Sequence, residues 1–119
     1  MERKTAKKLL ANVHYSQGRN RVNNRSVKEI ELNEEDLIKK FESQNGKCYW
    51  SGLKLNGEFN NIKHHPFAIS VERLDNKKGY TYENTVLTRR IFNLGRMAFP
   101  ENDFRDVVKI LKEEFNNGN

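Results

Sequence analysis

The stretch SVERLDNKKGYTYENTVLTRRIFN, Ser70 to Asn93, decides how the chain is read. The run FAISVERL alternates as a strand does, with Phe67, Ile69 and Val71 on one face and Ala68, Ser70 and Glu72 on the other, so Glu72 is expected to point away from the core. A turn follows from Asp75 to Gly79, TVLT reads as a second short strand, and TRRIFNLGRM sets Ile91, Phe92 and Gly95 at helical spacing. The expected order is strand, loop, strand, helix. Glu72 closes the first strand, Asn84 stands 12 positions later and Asn93 nine beyond that.

Upstream, Asn33 before EEDLIKKFESQNG reads as a helix cap, with acids in the first turn, lysines later, Gly46 as the stop, and Leu37, Ile38 and Phe41 on the buried side. KCYWSGLKL reads as two short extended pieces about a Ser51-Gly52 turn, and NGEFNNIKHHP as a polar loop. At the start, Ala6, Leu9, Leu10 and Val13 give a helix one apolar stripe as far as Gly18. The lysines and arginines on its other faces form either a solvated surface or a phosphate-contacting one. RNRVNNRS then makes a basic loop leading to an extended piece over 27–32. Downstream, Pro100 opens an amphipathic helix in which Phe104, Val107, Val108, Leu111 and Phe115 recur at packing distances.

These elements imply a small single-domain α+β fold, with a basic N-terminal helix and connecting segment over 1–32 and a core over 33–119. Of the 119 residues 35% are hydrophobic and 32% charged, so the core must be gathered from a few short elements. The net charge of +6 favours polyanionic partners, nucleic acid first. A single cysteine, Cys48, rules out an internal disulfide and a zinc ribbon of paired Cys-x-x-Cys knuckles, so no structural zinc is expected. No apolar run approaches the roughly 20 residues needed to span a bilayer, and Met1-Glu-Arg-Lys lacks the hydrophobic segment of a secretory signal. The expected location is the cytoplasm, of a cell or of a phage's host, with no membrane association.

With these residues in place, the Ser70–Asn93 stretch resembles the HNH, or His-Me finger (ββα-metal), endonucleases. It is more closely similar to a phage-associated branch whose finger reads Asp-Arg-Ile-Asp, Lys-Gly-Tyr and Asn-Val after a Gln-Asn-Gly-Lys-Cys helix end and a Ser-Gly or Thr-Gly turn. This chain has ERLD, KKGY, ENTV and QNGKCYWSG, and the resemblance runs from about residue 33 to 115.

The resemblance implies a metal-dependent DNA endonuclease that hydrolyses phosphodiesters and nicks strands. It implies one divalent cation, magnesium with manganese able to replace it, held by Glu72 and Asn93. A hard carboxylate oxygen and a neutral amide oxygen suit such an ion, which would neutralise charge developing on the phosphate. Asn84 is implied to brace the finger loop and fix the residue after the acid. Lys77, Lys78, Arg89, Arg90 and Arg96 are implied phosphate contacts. Trp50 and Tyr80 either stack on a base or pack in the core.

Two residues depart from the family's pattern. Glu72 is one methylene longer than the usual Asp, and Arg73 stands where a water-activating His is usual. Arginine stays protonated, so it cannot accept a proton, but it can clamp a phosphate. His64 and His65 are then the nearest candidate bases, although seven strand residues, roughly 23 Å at about 3.3 Å each, separate His65 from Glu72. Two other readings stay open: a catalytically impaired finger serving as a nucleic-acid-binding or accessory module, and a small basic interaction protein. Extended target recognition would require a second copy of the chain or an accessory protein.

Overall fold

The computed structural model describes residues 1–97 and 99–117; Ala98 and the last two positions assigned to the 33–119 unit lie outside the described residues. In chain order come α1 (Arg3–Val22), α2 (Glu34–Ser43), a 3-10 turn (Gly57–Asn61), β1 (Ile69–Arg73), β2 (Thr85–Arg89), α3 (Arg90–Arg96) and α4 (Glu101–Asn117). β1 and β2 form a two-stranded antiparallel sheet in which Ile69 faces Arg89, Val71 faces Leu87 and Arg73 faces Thr85. This is an α+β fold, as expected.

Cross-strand partners share a face, so Ile69, Val71 and Leu87 form one surface and Ser70, Glu72, Val86 and Thr88 the other. The first surface joins Leu9 and Val13 of α1, Leu37 of α2 and Tyr80 in one apolar cluster. The second is not open to solvent as the alternation suggested. α3 lies across it, and Glu72 is only 3% exposed. Alternation separates two faces of a strand but cannot say whether a later helix returns to cover the outer one.

Glu72 is accommodated there by charge pairing. Its carboxylate lies 2.6 Å from the Arg96 guanidinium and accepts from the Trp50 indole N–H at 3.0 and 3.1 Å. Arg96 also donates to the carbonyls of Arg73, Leu74 and Phe99, and its guanidinium lies 5.4 Å from the Trp50 ring. The last turn of α3 is thereby fastened to the end of β1. Trp50 and Tyr80 are both buried, so their rings serve packing, with Phe104 of α4 edge-on to Trp50.

Several local expectations hold for identifiable reasons. Asn33 and Asp36 form a capping box at α2. Gly46 follows that helix at φ +67°, receiving the chain where a Cβ would press on Phe41 at 3.2 Å. Gly79 is required because a Cβ would sit 2.7 Å from the Glu29 carbonyl, where residues 29–31 pair with Tyr80.

Others do not. α1 runs through Gly18 to Val22, because its buried stripe continues to Gln17, whose Oε1 accepts from Lys28 N, and the turn out of the helix is made at Asn24, φ +57°. The extended piece over 27–32 contributes a single parallel bridge, Ile30 to Tyr80. β1 starts at Ile69, leaving Phe67 outside it and 41% exposed. Along α4 only Phe104 and Val108 are buried; Val107, Leu111 and Phe115 are exposed.

Two stability predictions follow from this packing. Leu87→Ala, at a fully buried position, should lower unfolding free energy by about 2–5 kcal/mol. Arg96→Met should cost about 3–5 kcal/mol by leaving the Glu72 carboxylate buried without its cation. Arg90→Met, on a partly exposed turn of the same helix, should change stability by less than about 0.5 kcal/mol. Urea unfolding of the three variants decides this; equal effects at 90 and 96 would contradict a structural role for the buried pair.

Candidate nucleic-acid interface

The loop between the strands is tied together by Asn84. Its side-chain carbonyl accepts from Asp75 N at 2.9 Å, and its amide donates to the carbonyls of Asp75 and Gly79 at 3.1 and 2.9 Å. An asparagine entering a strand can make such bonds because its short amide reaches backbone groups that no strand partner uses. Arg73 is fixed by the same loop: it donates to the carbonyls of Asn76 and Lys78 and stacks 5.0 Å from the Tyr80 ring. Asn84 therefore bears on Arg73 through the loop rather than by touching it.

Asn93 lies one turn before Arg96 on α3 and donates to Ser70 Oγ at 2.8 Å. Its own side-chain carbonyl has no hydrogen-bond partner among the described residues, which leaves one neutral oxygen free. Glu72 presents no such oxygen. Burial pushes its carboxyl above the ordinary 4.5, and the Arg96 and Trp50 donors pull it only part of the way back. With both oxygens occupied by N–H donors and a guanidinium in contact, Glu72 and Asn93 do not fit a divalent cation as a pair in this arrangement. Among the described residues no group of three or more His, Cys, Asp or Glu could hold a metal ion either.

Asn93 lines a cleft of about 680 Å³ along the outer edge of β1. α1 forms one wall, while the 60–64 segment, Ser70, Arg90 and Asn93 form the other. At this edge Asn60 stands in for a neighbouring strand, its side-chain amide both accepting from and donating to the Ile69 backbone. Lys8, Arg19, Lys63 and Arg90 line the cleft, and among the described residues no Asp or Glu does. A concave surface carrying one sign of charge over an apolar floor focuses its field on an anion.

The two histidines separate. His64, at φ +60°, lines the cleft and meets Arg90 through its carbonyl and ring nitrogen at 3.3 and 3.4 Å. His65 turns away, stacking 4.4 Å from the Phe59 ring and accepting from Phe67 N. Arg89 bonds the Lys54 carbonyl and lies 4.6 Å from the Phe67 ring, so its head group is engaged beside the hairpin. Lys77 and Lys78 are exposed at the loop tip. Arg96 is 2% exposed with every nitrogen bonded, so it is not presented to a duplex.

Sequence reasoning left the basic face of α1, with Lys8 and Arg19, open between a solvated and a phosphate-contacting surface, and singled out neither Tyr15 nor Lys63. A signal for this face existed: Lys8, Asn12, Ser16 and Arg19 recur every three or four residues, beside the buried stripe Ala6, Leu9, Val13 and Gln17. What periodicity could not show is that this polar face looks across a cleft at Asn93.

No protein-family profile matches this sequence, and no characterised protein matches it at significant similarity. Among solved structures, the chain is similar to PacI, a rare-cutting HNH restriction endonuclease whose report describes an extraordinary mechanism of DNA perturbation. The TM-score is 0.68 at 16% identity, over 95% of this chain and 81% of that one. No helix among the described residues is long and apolar enough to cross a membrane. At that identity the likeness concerns the backbone, and it shows that the chain shares its fold with an HNH restriction endonuclease.

Proposed function

We propose that the chain is a DNA endonuclease of the HNH type, of the Asp-Arg-Ile-Asp-like branch, acting on a phosphodiester held in the cleft between α1 and the hairpin. The observation that supports it most is one cleft lined by four cations, His64 and Asn93, with no carboxylate among its described lining residues, in a chain that shares its fold with an HNH endonuclease. Arg90 and Lys63 bind nonbridging phosphate oxygens. His64 is the cleft's imidazole, the type of group that accepts a proton from an attacking water near neutral pH. Arg73 and Asn84 hold the loop rather than the phosphate. A requirement for magnesium or manganese is carried over from the resemblance alone.

A second reading is favoured by the occupied Glu72 and the tethered Arg73: a finger that binds DNA without cutting it. The two separate on supercoiled plasmid incubated with Mg²⁺, Mn²⁺ or EDTA. The first predicts nicked circles with either metal and none in EDTA, with Asn93→Ala and Arg90→Ala each at least tenfold slower and folded. The second predicts a gel shift and no nicks.

Either way, binding must weaken with salt. The log–log slope should fall by roughly 0.9 for each phosphate contact removed, so Lys63→Ala with Arg90→Ala should flatten it by about two. A salt-independent shift would contradict both readings.

A further inference from the structure

Tyr15 stands on the α1 wall of the cleft and is 68% exposed, with the Arg19 guanidinium 6.0 Å from its ring centroid. The cleft's cations are not equivalent. Lys8 is bonded to the Asn60 carbonyl at 2.6 Å and Arg90 to His64, whereas the side chains of Arg19 and Lys63 have no hydrogen-bond or ion-pair partner among the described residues. One uncommitted cation therefore stands on each wall, with an exposed aromatic ring beside the first.

We propose that this cleft receives one unpaired DNA strand, with Tyr15 stacking on a base and Arg19 and Lys63 holding its phosphates. The inference rests on the cleft being the DNA site, and it adds the state of the DNA inside. Bases within a duplex already have both faces stacked on their neighbours and cannot lie on a tyrosine; an unpaired base has a free face, and every base has one. The cleft is the size of a small-ligand pocket, while a double helix, whose major groove alone is about 12 Å wide, can only lie across its mouth. Lys8 to Arg19 spans about 16 Å of helix at 1.5 Å per residue, long enough to follow successive phosphates of a single strand. A tyrosine immobilised by only two torsions among cations is well suited to stacking, because it loses little conformational freedom on doing so.

The test is fluorescence anisotropy of the full chain, at one fixed salt concentration, with a labelled 12-nucleotide single strand and with the same sequence as a duplex. Native protein should bind the single strand more tightly. Tyr15→Ala should weaken single-strand binding roughly tenfold, the loss of one base–aromatic stack, with duplex binding unchanged, while Tyr15→Phe retains the native affinity. Tyr15 is exposed on a helix, so the Ala variant should keep its thermal midpoint. Single-strand affinity that survives Tyr15→Ala, or equal affinity for the two DNAs, overturns the inference. If Lys63→Ala and Arg90→Ala then still weaken both DNAs, the proposed function stands without it. Absence of binding to either DNA overturns both.

Discussion

The ion pair between Glu72 and Arg96 is the constraint on which the rest of the arrangement depends. Each side chain is 3% exposed, so neither charge could stay where it is without the other. The pair sets the last turn of α3 against the end of β1. Asn93, one turn earlier, is thereby set against Ser70, and Arg90, another turn back, reaches His64. Three residues spaced by three on one short helix thus become a buried anchor, a polar contact and a cation at the cleft rim. α3 cannot slide along the hairpin without exposing or orphaning a charge.

The same pair shapes the electrostatics of the surface. The finger's acid is neutralised inside the fold, so it offsets none of the positive charge outside. The cleft, with no acid lining it among the described residues, keeps the field of Lys8, Arg19, Lys63 and Arg90. The arginine after that acid is likewise committed to the loop carbonyls. Glu72 and Arg73, to which the resemblance gives chemical roles, are in this arrangement tied into the fold, one to Arg96 and Trp50 and the other to the loop. Under the proposed function, the reaction would be sought at Asn93 and His64, which line the cleft, rather than at the residues that resemble a motif most closely.

What was legible in the sequence follows from what is local. The capping box at Asn33 and the left-handed turn at Gly46 are properties of a few adjacent residues, and each is where the pattern put it, whereas the close approach of Gly79 to Glu29, 50 residues earlier, is not local and was not foreseen. The order strand, loop, strand, helix was readable because strand and helix periods differ. The burial of Glu72 was not, because it depends on α3 and Trp50 reaching the same face from 24 and 22 residues away. The cleft was hidden for the same reason. Its walls come from residues 8–19, 60–64 and 90–93, and no local pattern in any one of them names the others. The end of α1 was misplaced because a lone exposed glycine, with nothing within 4 Å of its missing Cβ, is tolerated inside a helix that still has side chains to bury.

The central claim is that the acid-free cleft around Asn93 is the surface that engages DNA. It is tested most directly by amide chemical-shift mapping of the isotopically labelled chain during titration with a short DNA oligonucleotide at low salt. The account predicts that the largest shifts fall on residues 12–19 of α1, the 60–64 segment, Ser70, Arg90 and Asn93, with little change at the buried Trp50 and Leu87. Shifts confined to the Lys77–Lys78 loop tip or to α4, with the cleft unmoved, would contradict it.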